Sequence, residues 1–313
     1  MATNSHLEGF VEDYPARAAA EPPQQAQSSQ LPILNLVQTP AVTMPPPQMM
    51  PTAIFSRRLC QYLAAEYSST AAGTGKDAVA CALSDLDTDI TTAMSHILSS
   101  SEQEKMGFLT RSPQFTEWRY SVDSRLIVVH ESETTNLGVL STLSHLCGLM
   151  AKTLRKPGMW TLPFICGLHT AAGKTFQGGR GLMQAVTLQL LSMIPDALVP
   201  MSVDPSIATQ GLVSGDVGTI CSVFAMALGQ LPKGTLFVLI DGAHWNGTEA
   251  RSAEMQHVVR FLNEVVERLR AVGTGLALKV LITNPSGRQQ FAWNIKGEDL
   301  YMERQVLAGG HNG

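Results

Sequence analysis

The sequence predicts an α/β fold: a parallel sheet covered by helices on both faces, preceded by a helical segment and a disordered Pro/Gln-rich arm. Three observations predict it. Four short apolar runs, RLIVVH (125–130), WTLPFICG (160–167), TLFVLIDG (235–242) and LALKVLITN (276–284), are continuous rather than alternating, as strands buried on both faces must be. Helical stretches at 137–155, 181–193, about 215–230 and 250–271 separate them, the βαβα order of a parallel sheet. Nine of the 17 prolines fall within residues 1–52, where they block regular ladders.

The elements follow in chain order. Residues 1–52 contain PPQQAQSSQ and TMPPPQMMP, too polar and too proline-rich to offset the entropy of ordering. LPILNLV (31–37) stands out there and reads as an incidental apolar patch, with a short docking segment as the alternative. Residues 53–108 form the helical segment. AIFSRRLCQYLAAEY carries Phe55, Leu59, Tyr62 and Leu63 at helical spacing, and after STAAGTG a second helix places Val79, Leu83, Leu86, Ile90, Met94 and Ile97 on one side. Asp85, Asp87 and Asp89 do not form a calcium loop, because Ile90 falls on the glycine position and His96 on the closing glutamate; they read as a solvated helix face. The sheet domain spans 109–305, and 306–313 is a short tail. In the last helix Met255, Val258, Val259, Leu262, Val265, Val266 and Leu269 make one stripe.

Composition excludes several classes. A net charge of −4 over 313 residues gives no electrostatic reason to bind nucleic acid or an acidic membrane. The five cysteines, Cys60, Cys81, Cys147, Cys166 and Cys221, lack the close spacing of a zinc knuckle or redox motif, so reduced thiols and a cytoplasmic location are expected. The N-terminus lacks the basic and apolar regions of a secretory signal, and no apolar run reaches the length of a membrane span. Asn246-Gly247-Thr248 therefore reads as a turn.

Two stretches invite a phosphate-loop reading, G-x-x-x-x-G-K-[ST] after a strand. CGLHTAAGKTFQGGRG (166–181) contains Gly173-Lys174-Thr175. Five residues separate Gly167 from Gly173, one too many, and Phe-Gln-Gly-Gly-Arg-Gly is a poor helix start, so an exposed, mobile loop with the helix beginning near Gly181 is expected. Cys166 and His169 alone do not make a metal or nucleophilic site. The strand RLIVVH, followed by ESETTNLGVLSTLSHLCGLM, has the strand–loop–helix shape. There Glu131 and Asn136 replace the two glycines, Leu137 the lysine and Gly138 the hydroxyl residue. Leu137 cannot neutralise phosphate and Gly138 cannot hold magnesium. Glu131, with Glu133 nearby, adds negative charge. One like-charge contact at about 4 Å costs roughly 4 kcal/mol at an effective dielectric near 20, on the order of a thousandfold in affinity.

At these residues the chain resembles the NACHT-like (STAND) signalling NTPases, in a degenerate form similar to that of a group of uncharacterised fungal proteins. VHESETTNLGVLS is similar to their VHG-x-x-x-x-GKSVLS segment, TLFVLIDGAHW to their second signature, and LALKVLITNPSG to the next strand; PFICGLHTAAGKTFQGGRGLMQAVTLQLL resembles the fungal form. The resemblance covers about residues 109–305 and implies a P-loop NTPase-like domain. It places Asp241 at the magnesium-coordinating aspartate, His244 and Trp245 at an acidic pair that orients water, and Pro285 at a phosphate-sensing arginine.

The function expected from these readings is a non-catalytic pseudo-NTPase domain serving as a protein-interaction or scaffolding module. It has no cofactor, an unidentified protein partner, and self-association as an option. The alternative is an active NTPase that binds Mg-ATP or Mg-GTP through an unorthodox loop with Lys174 and Thr175, with Asp241 holding magnesium and His244 as a base. A third reading has a small molecule reusing the vacated site around Ser132, Thr134 and Asn136.

Overall fold

The four continuous apolar runs become four strands of a sheet that, among the described residues, is five-stranded and all-parallel. The computed structural model of the protein describes residues 59–67, 77–131, 139–171, 173–194, 205–246, 249–285 and 298–302. Its strands are β1 (Arg125–Glu131), β2 (Met159–Ile165), β3 (Gly234–Asp241), β4 (Leu276–Asn284) and β5 (Glu298–Met302), in the spatial order β2-β3-β4-β1-β5. Each β1 residue from Arg125 to His130 lies opposite a β4 residue from Lys279 to Asn284, and Ile165 of β2 lies opposite Asp241 of β3. All nine residues of β4 are buried, which explains why this strand shows no polar alternation.

The pleat divides the core into two layers. Leu126, Val128, Val238, Ile240, Val280 and Ile282 point to one face; Ile127, Val129, Phe237, Leu239 and Leu281 point to the other. The first face is covered by α5 (Gly178–Ser192), α7 (Val217–Leu228), α8 (Glu249–Val272) and the helical residues 59–63. The second is covered by α2 (Ser100–Arg111), α3 (Pro113–Tyr120) and α4 (Thr142–Thr153). The remaining helices are α1 (Ala78–Met94) and α6 (Pro205–Ser214). Helix α1 contributes to both layers, Ala82 and Leu86 to one and Ile90 and Ala93 to the other.

Capping chemistry places the helix ends. The Asp77 carboxylate accepts from the Val79 amide at the start of α1. Ser99 and Glu102 form a reciprocal capping box on α2. Ser112 ends α2 and caps α3, where Pro113 sits at the first helical position, the one place a missing N–H costs nothing. Trp118 of α3 donates its indole N–H to the Val280 carbonyl, fixing the helix against β4.

The sequence expectations need several adjustments here. Helix α1 ends at Met94, and Ile97 lies beyond it, 92% exposed, rather than on the buried stripe. Helix α2 crosses the boundary expected at residue 108 and α3 extends the helical region to Tyr120. Helix α5 begins at Gly178, ahead of the expected Gly181. The arm 1–52, including LPILNLV, and the tail 306–313 lie outside the described residues. Among the described residues no helix is long and apolar enough to cross a membrane.

Candidate functional site at the C-terminal edge of the sheet

Parallel strands bring their C-terminal ends to one edge, so His130 and Glu131 of β1, Asp241 of β3, and Thr283 and Asn284 of β4 come together there. Of the degenerate phosphate-loop positions, Glu131 ends β1; Asn136, Leu137 and Gly138 lie outside the described residues, as do Ser132, Glu133 and Thr134. The described chain resumes at Val139, 46% exposed, and enters α4 at Thr142.

Two amides at the start of α4 are bonded by side chains of the protein itself. A helix N-terminus presents unpaired amides and a positive dipole end to any anion. Here Ser141, the N-cap, accepts from the Ser144 amide at 3.2 Å, and the Ser144 hydroxyl accepts from the Ser141 amide at 2.9 Å. That same Ser144 hydroxyl donates to Oδ2 of Asp241 at 2.6 Å. Thr142 donates to Oε1 of Glu102 at 3.1 Å. Two carboxylates of the chain, Asp241 and Glu102, thus attach to the turn that a phosphate would approach.

Asp241 is 1% exposed. Its Oδ1 accepts from the Thr283 hydroxyl at 2.6 Å, and that hydroxyl accepts from the Gly242 amide at 2.9 Å. Gly242 takes φ +67, a left-handed conformation that glycine adopts without strain, and the turn aims its amide at Thr283. Burial pushes the Asp241 carboxyl above its usual range, while the bonds from Ser144, Thr283 and the Gly242 amide pull the other way. Both carboxylate oxygens therefore have donors before any metal arrives. Among the described residues no group of three His, Cys, Asp or Glu side chains converges as a metal ion requires.

Around this centre the loops pack closely. A Cβ on Gly167, just after β2, would overlap the Val139 carbonyl oxygen and lie 3.0 Å from the Trp245 indole nitrogen. Only glycine lets the three loop segments meet. His130 Nδ1 and the Asn284 amide nitrogen lie 3.2 Å apart across β1 and β4, and Pro285 is buried. His244 follows in the turn after β3, its ring 5.0 Å from that of Trp245. Both His244 ring nitrogens are buried without a hydrogen-bond partner, and burial pulls its pKa down to about 4. Among the described residues no group lies within hydrogen-bond distance of its ring nitrogens.

The Lys174 stretch is placed elsewhere, on a turn with several anchors. Gly173 and Lys174 are exposed, yet the turn is pinned on both sides. His169 Nδ1 lies 2.9 Å from the Thr175 carbonyl and Nε2 lies 2.9 Å from Asp89 of α1. The His169 ring stacks on Phe164 at 4.7 Å. The Thr175 hydroxyl donates to the Tyr67 hydroxyl at 2.7 Å. Phe176 is fully buried at φ 58, an uncommon conformation for a bulky residue. Thr175 is thus committed to the N-terminal helical segment, and His169 pairs with Asp89 rather than with Cys166. Asp89 in turn is not part of a freely solvated face.

Ser144, Thr283, Thr142 and Glu102 were not singled out by sequence reasoning; hydroxyl and carboxylate residues at these separations carry no local signature. Neither a protein-family model nor a curated protein sequence matches the chain.

Proposed function

We propose that the chain is a non-catalytic, P-loop NTPase-like domain of the NACHT-like kind that serves as a protein-interaction or scaffolding module. One observation carries the reading: Asp241, at the position of the magnesium-coordinating aspartate, is buried with each carboxylate oxygen held by a hydroxyl of the chain, Ser144 and Thr283. A magnesium ion there would have to displace or share these donors and bring a triphosphate into a buried, already bonded centre. The capping of α4 by Ser141 and Ser144 supports the same reading, since the amides of these two residues already have side-chain partners. The Thr175 hydroxyl is bonded to Tyr67, and His169 of the same turn is bonded to Asp89 of α1, which directs these side chains to the N-terminal helical segment. The proposed partner is an unidentified protein or a second copy of the chain.

Calorimetric titration with Mg-ATP and Mg-GTP tests the proposal. No heat at millimolar nucleotide is expected, with the same result for Lys174→Ala and Asp241→Ala. Micromolar binding lost in Asp241→Ala would overturn it. Light-scattering mass with and without nucleotide separates self-association from a nucleotide-driven assembly.

A further inference from the structure

His169 is bonded at both ring nitrogens, and both partners are acceptors. Its Nδ1 lies 2.9 Å from the Thr175 carbonyl oxygen and its Nε2 lies 2.9 Å from Oδ2 of Asp89. A carbonyl never donates, and a carboxylate donates only after taking a proton. A neutral imidazole has one N–H and one lone pair, so beside an ionised Asp89 it serves one oxygen and turns a lone pair towards the other. One further proton, shared along the line from Nε2 to Oδ2, completes both bonds. The two side chains therefore take up that proton as a pair.

The surroundings hold the ring in this position. It stacks on Phe164 of β2 at 4.7 Å, and Phe176 meets it edge-on at 6.3 Å. His169 is 6% exposed, while the Asp89 side chain keeps 19% of its surface, which gives the pair a route to water. The surrounding elements carry these titratable and charged groups. Helix α1 brings Asp89 and, beside Tyr67, Asp85. The Tyr67 hydroxyl is pushed up to about 12 by burial and stays neutral. Cys166 on the same segment is a buried thiol, and Lys174 is exposed. Arg180 of α5 lies over Gly215. Asp241 of β3 is bonded to Ser144 and Thr283, and burial holds His244, in the turn after β3, neutral.

We propose that His169 and Asp89 form a proton-dependent clasp, which fastens the turn carrying Lys174 to α1 while the shared proton is present and releases it when that proton passes to water. Without the proton a lone pair faces an oxygen at one end of the ring, and that contact opens. Thr175 is the next link, since its hydroxyl donates to Tyr67, so release of the turn also loosens its hold on residues 59–67. The closed form binds one proton more than the open form. Acid therefore favours closure, and rising pH opens the clasp. The device needs no nucleotide and does not depend on the proposed function.

Hydrogen exchange of the full chain with peptide resolution tests it, at about pH 5, 6.5 and 8, the span in which histidines ordinarily change charge. Each rate is divided by the intrinsic rate at that pH. The Lys174 amide, bonded to the Ala171 carbonyl at 3.1 Å, reports on the turn. Its protection should fall about tenfold or more from the lowest pH to the highest, while the β3 and β4 peptides show no matching fall. In Asp89→Asn the new amide can donate to the Nε2 lone pair of a neutral imidazole, so the turn should stay protected with no dependence on pH. His169→Phe keeps a ring to stack on Phe164 but has no nitrogens, and its turn should exchange fast at every pH. Protection of the wild-type turn that does not change with pH overturns the proposal. So does a wild-type-like pH profile in either variant.

Discussion

The Ser144 hydroxyl donates to the Asp241 carboxylate across 2.6 Å, joining the first turn of α4 to the end of β3 over a sequence separation of 97 residues. Thr283 completes the other half of the carboxylate from β4. Ser144→Ala and Thr283→Val each leave one oxygen of a buried acid without its donor, which costs about 1–3 kcal/mol. The double variant should cost more or less than the sum of the two, because both act on one group. Urea unfolding of the two single variants and the double variant checks this. Additive effects within a few tenths of a kcal/mol would mean the two bonds are independent of the carboxylate they share.

Glu102 makes a pH prediction with a definite sign. Burial disfavours its charged form, but bonds from the Ser99 hydroxyl and amide, His96 and Thr142 outweigh that and bring its pKa down to about 2 from 4.5. A carboxyl lowered by folding stabilises the protein fully above its unfolded pKa and loses that contribution as pH falls towards the folded value. Stability should therefore decline between about pH 4.5 and 2 on account of this residue. In Glu102→Gln that part of the decline should be absent, and the midpoint at neutral pH should be lower because the charge-assisted bonds to α4 and the α2 cap are weakened. Denaturant midpoints as a function of pH measure both.

How much of this was legible depends on the range of the interaction. The strand runs at 125–130, 235–242 and 276–284 match β1, β3 and β4 to within a residue or two, because strands buried on both faces must be apolar throughout. The Met255 to Leu269 stripe likewise marked α8, most of its face being buried. Strand β5, Glu298–Met302, escaped because EDLYM at a sheet edge carries charge, as edges commonly do. Helix α6 escaped because PSIATQGLVS has no helical stripe. Asp241 was visible from its place after an apolar strand. Its partners were not, since Ser144 and Thr283 reach it only when the sheet is assembled. The anchors of the Lys174 turn, Tyr67 and Asp89, were not legible because they are distant in sequence.

Those anchors give a third prediction. Asp89→Ala removes the partner of His169 Nε2, and Tyr67→Phe removes the acceptor of the Thr175 hydroxyl. Each should cost about 1–2 kcal/mol and, more tellingly, speed amide exchange in the turn that carries Lys174 while leaving the β3–β4 pairing protected. Hydrogen exchange with peptide resolution shows which occurs. Equal loosening of β3 and β4 would place the effect in global stability instead of this local anchoring.

Gly167 makes a steric prediction. A methyl group there overlaps the Val139 carbonyl oxygen, a backbone atom that cannot rotate away, and presses on Trp245. Gly167→Ala should lower stability by about 1–3 kcal/mol, the usual range for overpacking, and alter Trp245 fluorescence. A variant as stable as the wild type, with unchanged emission, would show that the loops after β1 and β2 are not held in contact.

His244 offers the last test, with pH dependence of its own. Both ring nitrogens are buried without partners and burial lowers the pKa from 6.5 to about 4. The folded protein resists the proton that the unfolded chain accepts, so stability is full above about pH 6.5 and is lost as pH falls through 6.5 towards 4. The residue is also replaceable, because a polar group that makes no hydrogen bond in the folded state has only desolvation to show for its burial. His244→Phe should match or exceed the wild type in stability at neutral pH and should flatten the decline between pH 6.5 and 4. Denaturant midpoints at three pH values across that interval separate this from the Glu102 effect, which lies mainly lower. A marked loss of stability at neutral pH in His244→Phe would mean the imidazole gains from a partner in solution, and the case for it as an idle neutral ring would fall.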